Sequence, residues 1–264
     1  MRYWKMFLLN LQYIFAHPGR SIVWVMIGLI EATIYLAFLR GVIQQHSHLS
    51  SWTLSTVSAY YFLLIALGAF LMTHPEVQIL RNDVELGQID SKLLLPFSYY
   101  WQNFFNEIPY RIFQGAIGSI FFFGFFFLFG AKIAYSSWLV SITLSIPIII
   151  LAYFISFTFK MIVGIIAFLT TDIRGLNELI EITIALFSGS LLPLNLLPII
   201  LAKLAFALPF AYIIYYPLMA VLGQLSVSLM MRVLIIQMVW LLFFWIAYTL
   251  LWKKVLKHFA LGGQ

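Results

Sequence analysis

The sequence predicts an all-α integral membrane protein with six transmembrane helices, and three observations carry that prediction. Of the 264 residues, 63% are apolar and only 9% charged, whereas a water-soluble domain carries about 25% charged residues. The charges also avoid long blocks: residues 54–73, 112–131, 138–159, 182–202 and 233–252 hold none, and residues 22–39 hold only Glu31. Each block approaches the ~20 residues that a helix needs to cross a ~30 Å hydrocarbon core. Solid runs such as Phe121–Phe122–Phe123 and Ile148–Ile149–Ile150 lack the alternation of a membrane β-barrel. Helices remain as the way to satisfy every backbone polar group in lipid.

Residues 1–18 form a separate first element. Trp4, Phe7, Leu8, Leu11, Ile14 and Phe15 recur at helical spacing, Lys5 and Gln12 lie on another side, and Pro18–Gly19 breaks the pattern. This is the signature of an amphipathic helix lying in the membrane interface. No A-x-A cleavage site follows a short apolar core there, so the segment is not read as a removed signal peptide.

The six blocks above then supply the spans, and a further uncharged stretch, residues 204–231, makes a naive count of seven. Pro209, Pro217 and Gly223 within it weaken a continuous spanning helix. Charge decides between the two counts. With six spans and a cytoplasmic N-terminus, the inside holds Arg2, Lys5, Arg20, Arg81, Lys92, Arg111, Lys160, Arg174, Lys253, Lys254 and Lys257. The outside holds Arg40, Lys132, Lys203 and Arg232, eleven cations against four. Seven spans would give nine against six. The positive-inside rule therefore favours six spans with both termini cytoplasmic. Residues 203–231 become an outer re-entrant helical hairpin; Pro209 and Pro217 within it, and Pro193 and Pro198 in the stretch leading to it, are candidate outer-hairpin breaks that must be buried in protein.

The largest cytoplasmic feature is the loop of residues 74–111, which holds Glu76, Asp83, Glu85, Asp90 and Glu107, five of the nine acids. A helix–helix connection usually needs only about 2–8 residues. Val77, Leu80 and Val84 are spaced to share a helical face, Gly87 to end that helix, and Asp90 to N-cap a short second helix closed by Pro96. A solvated loop has no need of Leu93–Leu94–Leu95, so the segment is expected to dock on a protein. In the next cytoplasmic link Asp172 is placed to cap the fifth span, with Glu178 and Glu181 in its N-terminal turns. No repeat or second domain is visible, and the chain reads as one domain, 1–264.

Catalytic chemistry is missing. There are no cysteines, no phosphate-binding G-x-x-x-x-G-K-[ST] loop, no H-E-x-x-H and no G-x-S-x-G. The five histidines are scattered, so we expect no metal site. Ser188–Gly189–Ser190 has no intramembrane histidine to act as its base. Gly115, Gly118 and Ser119 read as small residues that let the third span approach a neighbour. The net charge of +6 is spread over membrane boundaries rather than gathered in one patch, which argues against a nucleic-acid partner.

Glu31 is the single acid inside a span, midway between Arg20 and Arg40. A carboxylate there is a functional hypothesis by default. It can relay protons, bind a cationic substrate or hydrogen-bond a neighbouring helix. Proton-coupled carriers usually show more than one such group, so the structural role is the leading expectation.

Taken together, the six spans, interfacial first helix, long acidic loop and broken outer segment resemble the ABC-2 type permeases, membrane subunits of bacterial ABC exporters. The likeness is greatest to the single-domain ABC-2 family transporter proteins. Gly87-Gln88-Ile89-Asp90-Ser91-Lys92-Leu93-Leu94-Leu95-Pro96 is similar to that family's cytoplasmic G-x-[IL]-D-x-x-L-L-x-P segment. Gly189-Ser190-Leu191-Leu192-Pro193-Leu194 to Pro198, with Leu208-Pro209-Phe210 and Tyr216-Pro217, is similar to its fifth span and outer hairpin. The resemblance implies a bacterial cytoplasmic-membrane permease that exports a drug, lipid, glycan or peptide. It further implies a homodimer or heterodimer of permease subunits working with two copies of a separate ATPase, which binds the ATP and Mg. The loop would be the coupling element, contacting the ATPase through Asp83, Glu85, Gly87, Asp90, Lys92, Leu93, Leu94 and Pro96. Two rival readings stay open: a secondary transporter using Glu31 as proton carrier, and a non-transporting membrane scaffold.

Overall fold

The computed structural model of the chain describes residues 2–17, 19–45, 53–129, 138–170 and 173–262. Every regular element among them is helical: α1 (Arg2–Ala16), α2 (Gly19–Gln45), α3 (Leu54–Leu71), α4 (Pro75–Gln78), α5 (Ile89–Leu93), α6 (Tyr99–Phe129), α7 (Trp138–Thr170), α8 (Arg174–Phe187), α9 (Ile199–Ala207), α10 (Tyr215–Val221) and α11 (Val227–Gly262). By length and apolarity, Ser141–Thr170 and Val227–Lys257 can each cross a membrane as single helices. Two bent pairs, Ser55–Leu71 with Pro75–Glu85 (41°) and Ile199–Ala207 with Pro209–Val221 (71°), raise the number to four. The chain is a multi-pass membrane protein. The expected count of six is larger, because α2 offers only Val25–Phe38 as an apolar stretch and α6 carries Glu107 and Arg111 in its first half.

In lipid, helices associate through packing and hydrogen bonds rather than the hydrophobic effect. Helix α3 lies against α6 with Gly118 at the crossing, where a Cβ would sit 2.7 Å from the Ile65 carbonyl oxygen and 2.8 Å from Ala66 Cα. Those neighbours are backbone and cannot swing aside. Gly118→Leu should therefore force the helices apart and lower stability by about 1–3 kcal/mol, read as a lower melting temperature of the purified protein. Helix α7 is the centre of the bundle, packed by α11, α10, α3 and α4. Helix α1 packs along α6, held by the Asn10 amide donating to Asn106 Oδ1 at 2.9 Å and by Tyr3 stacked on Phe105.

The fifth predicted span does not form as one helix over 182–202. Helix α8 ends at Phe187 after 14 residues, about 21 Å at 1.5 Å per residue. Gly189, at φ 91°, turns the chain, and Pro193 and Pro198 stand before the 3-10 turn Leu194–Leu196 and α9. Pro209 opens a second 3-10 turn, and Pro217 lies in α10. This irregular backbone is satisfied from within the protein. The Tyr60 and Tyr61 hydroxyls of α3 donate to the Gly189 and Leu191 carbonyls at 2.7 and 2.8 Å. The fully buried Gln237 amide of α11 donates to the Ile148 and Tyr212 carbonyls at 3.0 and 2.9 Å.

Candidate functional site

The polar chemistry of the chain gathers where the loop between α3 and α6 meets the helix ends. Helix α4 starts at His74 and runs into a π-helical turn, Ile79–Glu85. The expected face of Val77, Leu80 and Val84 forms only in part: Val77 is exposed, while Leu80 and Val84 are half-buried against Val163, Ala167 and Ile173. The fully buried positions are Pro75, Glu76, Ile79 and Asp83. Gly164 of α7 makes the seating possible, since a Cβ there would meet Ile79 Cδ1 at 2.7 Å and Glu76 Cα at 3.0 Å.

A buried ion network lies under α4. Lys160 of α7, with 3% of its side chain exposed, contacts Glu76 Oε1 at 3.1 Å and also Glu181 of α8. His74 Nδ1 lies 3.3 Å from Glu76 Oε1 and 3.4 Å from Glu181 Oε1. On the other side, Glu107 of α6 accepts the His74 backbone N–H at 3.0 Å. It thereby caps a helix start that lacks a side-chain cap of its own. Arg111 donates to Glu107 at 2.6 Å and to Gln114 at 3.1 Å. One network thus joins the loop to α6, α7 and α8. His74, Glu76 and Glu181 have a metal-binding spacing, with ligand atoms within 4.8 Å of one another. The Lys160 ammonium bonded to both carboxylates already supplies the cation.

The charges shift one another. Burial alone would lower the His74 imidazole, but hydrogen bonds to Glu181 and Glu76 outweigh it and raise its pKa above the ordinary 6.5. Burial alone would raise Glu181, yet His74 and Lys160 bring it from 4.5 down to about 2. The stabilisation from protonated His74 is full below pH 6.5 and fades as pH rises through its raised value. That from ionised Glu181 is full above pH 4.5 and fades as pH falls toward about 2. The protein should melt at its highest temperature between those limits, and His74→Gln should flatten the fall on the alkaline side. A thermal melt series across pH checks both.

The loop tip is built differently from its root. Gly87, at φ 66°, ends the π-turn, with the Gln88 N–H reaching the Asn82 carbonyl at 3.0 Å. Helix α5 follows with Gln88 at its N-cap and no side-chain cap bond. Asp90 is therefore inside the first turn rather than at the cap, because the chain enters α5 from a helical backbone at Gln88. Asp83 points inward, its carboxylate oxygens 2.7 and 2.8 Å from Lys92 Nζ and 2.5 Å from the Tyr99 hydroxyl. Burial and the Asp83 carboxylate push the Tyr99 phenol up, so it stays a donor. The Gln102 amide donates to the Lys92 and Phe97 carbonyls at 3.0 and 3.1 Å. Asp83 and Lys92, expected at a partner contact, thus brace the loop from inside. Glu85 pairs with exposed Arg174. Gly87, Asp90, Leu93, Leu94, Leu95 and Pro96 face outward, Leu94 at 86% exposure.

Glu31 lies near the middle of α2 with its side chain exposed; among the described residues no hydrogen bond or ion pair holds it. Asp172 lies outside the described residues, and α8 starts without a side-chain cap. Glu181, expected to serve the α8 dipole, serves the network.

Residues 29–263 match the profile of the ABC-2 family transporter protein. This chain belongs to that family. The match takes in the loop, the ion network and the broken segment after α8. No curated protein matches the chain. As an ABC-2 family transporter protein it is a membrane transport subunit, of a kind that is generally not itself catalytic. The network was hidden in its sequence because Lys160 and Arg111 read as inside-facing topology markers, and Glu76 and Glu107 as two among five loop acids. The one available signal was a lysine directly after a 22-residue uncharged block, residues 138–159.

Proposed function

We propose that the chain is the permease subunit of an ATP-driven ABC exporter, with six spans, cytoplasmic termini and a separate ATPase docked on the loop tip. The observation that carries this reading is the contrast within the loop. Its root is clamped by the Lys160 and Asp83 ion pairs, while its tip exposes Leu93, Leu94 and Leu95 at 39, 86 and 44%. An exposed apolar cluster rimmed by Asp90 and Glu85 is what a partner groove accepts as an anchor. A rigid root lets a push at the tip reach α6, α7 and α8 rather than dissipate in a slack loop. Six spans place α2, α6 and a broken fifth span, α8 with the turns up to Leu197, across the bilayer, and make the segment from α9 to α10 an outer re-entrant hairpin. Two permease subunits and two ATPases complete the unit, and Mg and ATP belong to the ATPase.

Two experiments test this reading. Tags at Gln264 and within residues 76–90 should be reachable only from the cytoplasm; labelling of Gln264 from outside intact cells would contradict the topology. Transport by reconstituted permease should need ATP and the ATPase. Transport by the chain alone, driven by a pH gradient, would favour the proton-carrier reading, and no transport with an intact ATPase complex would favour a scaffold.

A further inference from the structure

Helix α2 runs for 27 residues with Glu31 as its thirteenth. Its inner side holds Val25 and Ala32 buried against the bundle. Its outer side presents Ile30, Ile34 and Phe38 at 57, 59 and 60% exposure, and Glu31 shares that side. Tyr35, one turn on, is half-buried and packs its ring 5.5 Å from that of Tyr61. The carboxylate therefore leaves the subunit through an apolar face at mid-helix, with an aromatic ring beside it.

Lipid cannot cover that face as it stands, since an ionised carboxylate at this depth faces a bundle interior or a water-filled path. A counter-charge from within the subunit is also missing among the described residues. Lys160 is held by Glu76 and Glu181, and Arg20 and Arg40 lie 11 and 9 residues away along the chain, on the order of 13–17 Å at 1.5 Å per residue. A proton relay at neutral pH needs a second group that titrates near it, and between those arginines α2 offers only Tyr35, a phenol that ionises at pH ~10. A ligand bearing its own positive charge meets all three conditions. Its cationic centre pairs with Glu31, its apolar body lies along Ile30, Ile34 and Phe38, and the Tyr35 ring adds a cation–π contact.

We propose that Glu31 selects the substrate's charge: the face of α2 around Glu31 and Tyr35 lines the translocation path and binds the cationic centre of an amphiphilic organic cation. The assignment rests on the permease reading and narrows its substrate class.

The test uses the full permease with its ATPase in nanodiscs of neutral phospholipid, and compares tetraphenylphosphonium with tetraphenylborate, equal in shape and apolarity and opposite in charge. Empty nanodiscs give the lipid background. The parent should bind the cation saturably and the anion only at background. Glu31→Gln should weaken cation binding by roughly tenfold or more, and Tyr35→Leu by roughly threefold, with gel-filtration profiles unchanged. Should Glu31→Gln fold poorly, Glu31→Asp, which keeps the charge, should retain cation preference. Equal binding of the two probes by the parent, no saturable cation binding, or an unaffected Glu31→Gln would overturn the proposal. If the ATPase still co-purifies and hydrolyses ATP in those cases, the cation assignment falls and the permease reading stands.

Discussion

Lys160→Met should cost the protein about 3–5 kcal/mol, the penalty for leaving a buried carboxylate without its partner. Glu76 is 1% exposed, and its Oε2 has no hydrogen-bond partner among the described residues, so Lys160 is its main compensation. Methionine fills the lysine's volume and isolates the charge effect from a cavity. The expected result is a collapse of folded yield on size-exclusion chromatography and a melting temperature far below the parent's. Adding Glu76→Met should recover most of the loss, because two apolar side chains of similar volume replace the pair with little net cost. A Lys160→Met protein as stable as the parent would mean that the ion pair does not hold the loop root.

That network also marks the limit of what the sequence shows. The apolar blocks, a separate first helix ahead of Pro18 and the glycine contacts at Gly115 and Gly118 depend on local composition or short spacing, and they were legible. So was the outward-facing Leu93–Leu94–Leu95, whose apolarity has no local use. The inward face of α4 and its π-turn was read only in part because periodicity counts only apolar residues, and two of its four buried positions are Glu76 and Asp83. Their partners, Lys160 and Lys92, lie 84 and 9 residues away, and no local pattern announces an ion pair over the longer distance. The break after Phe187 was placed too late for a related reason. Tyr60 and Tyr61 on another helix satisfy the freed carbonyls, which lets α8 stop well short of a full span.

The loop tip should show the second large effect. Leu93→Ser with Leu94→Ser leaves the Asp83–Lys92–Tyr99 brace untouched, so membrane insertion and the melting temperature should stay near the parent's. Loss of a central apolar anchor typically costs at least ~2 kcal/mol, roughly thirtyfold in affinity. The ATPase should therefore wash off the variant during purification, or hydrolyse ATP without transport. Asp90→Lys, which reverses the charge beside the anchor, should act in the same direction and depend on salt. A double serine variant that binds the ATPase and transports as well as the parent would remove the loop tip from the coupling path.

The most direct measurement uses the absence of cysteine in the chain. A single Leu94→Cys substitution puts the protein's one thiol at a residue 86% exposed, and Lys203→Cys puts one on exposed α9 as a control. Both variants are treated in membranes with a short thiol-to-amine cross-linker alongside the ATPase. The account predicts a covalent permease–ATPase adduct from Leu94→Cys and none from Lys203→Cys. An adduct from Lys203→Cys alone, or from neither while the ATPase stays bound, would contradict it.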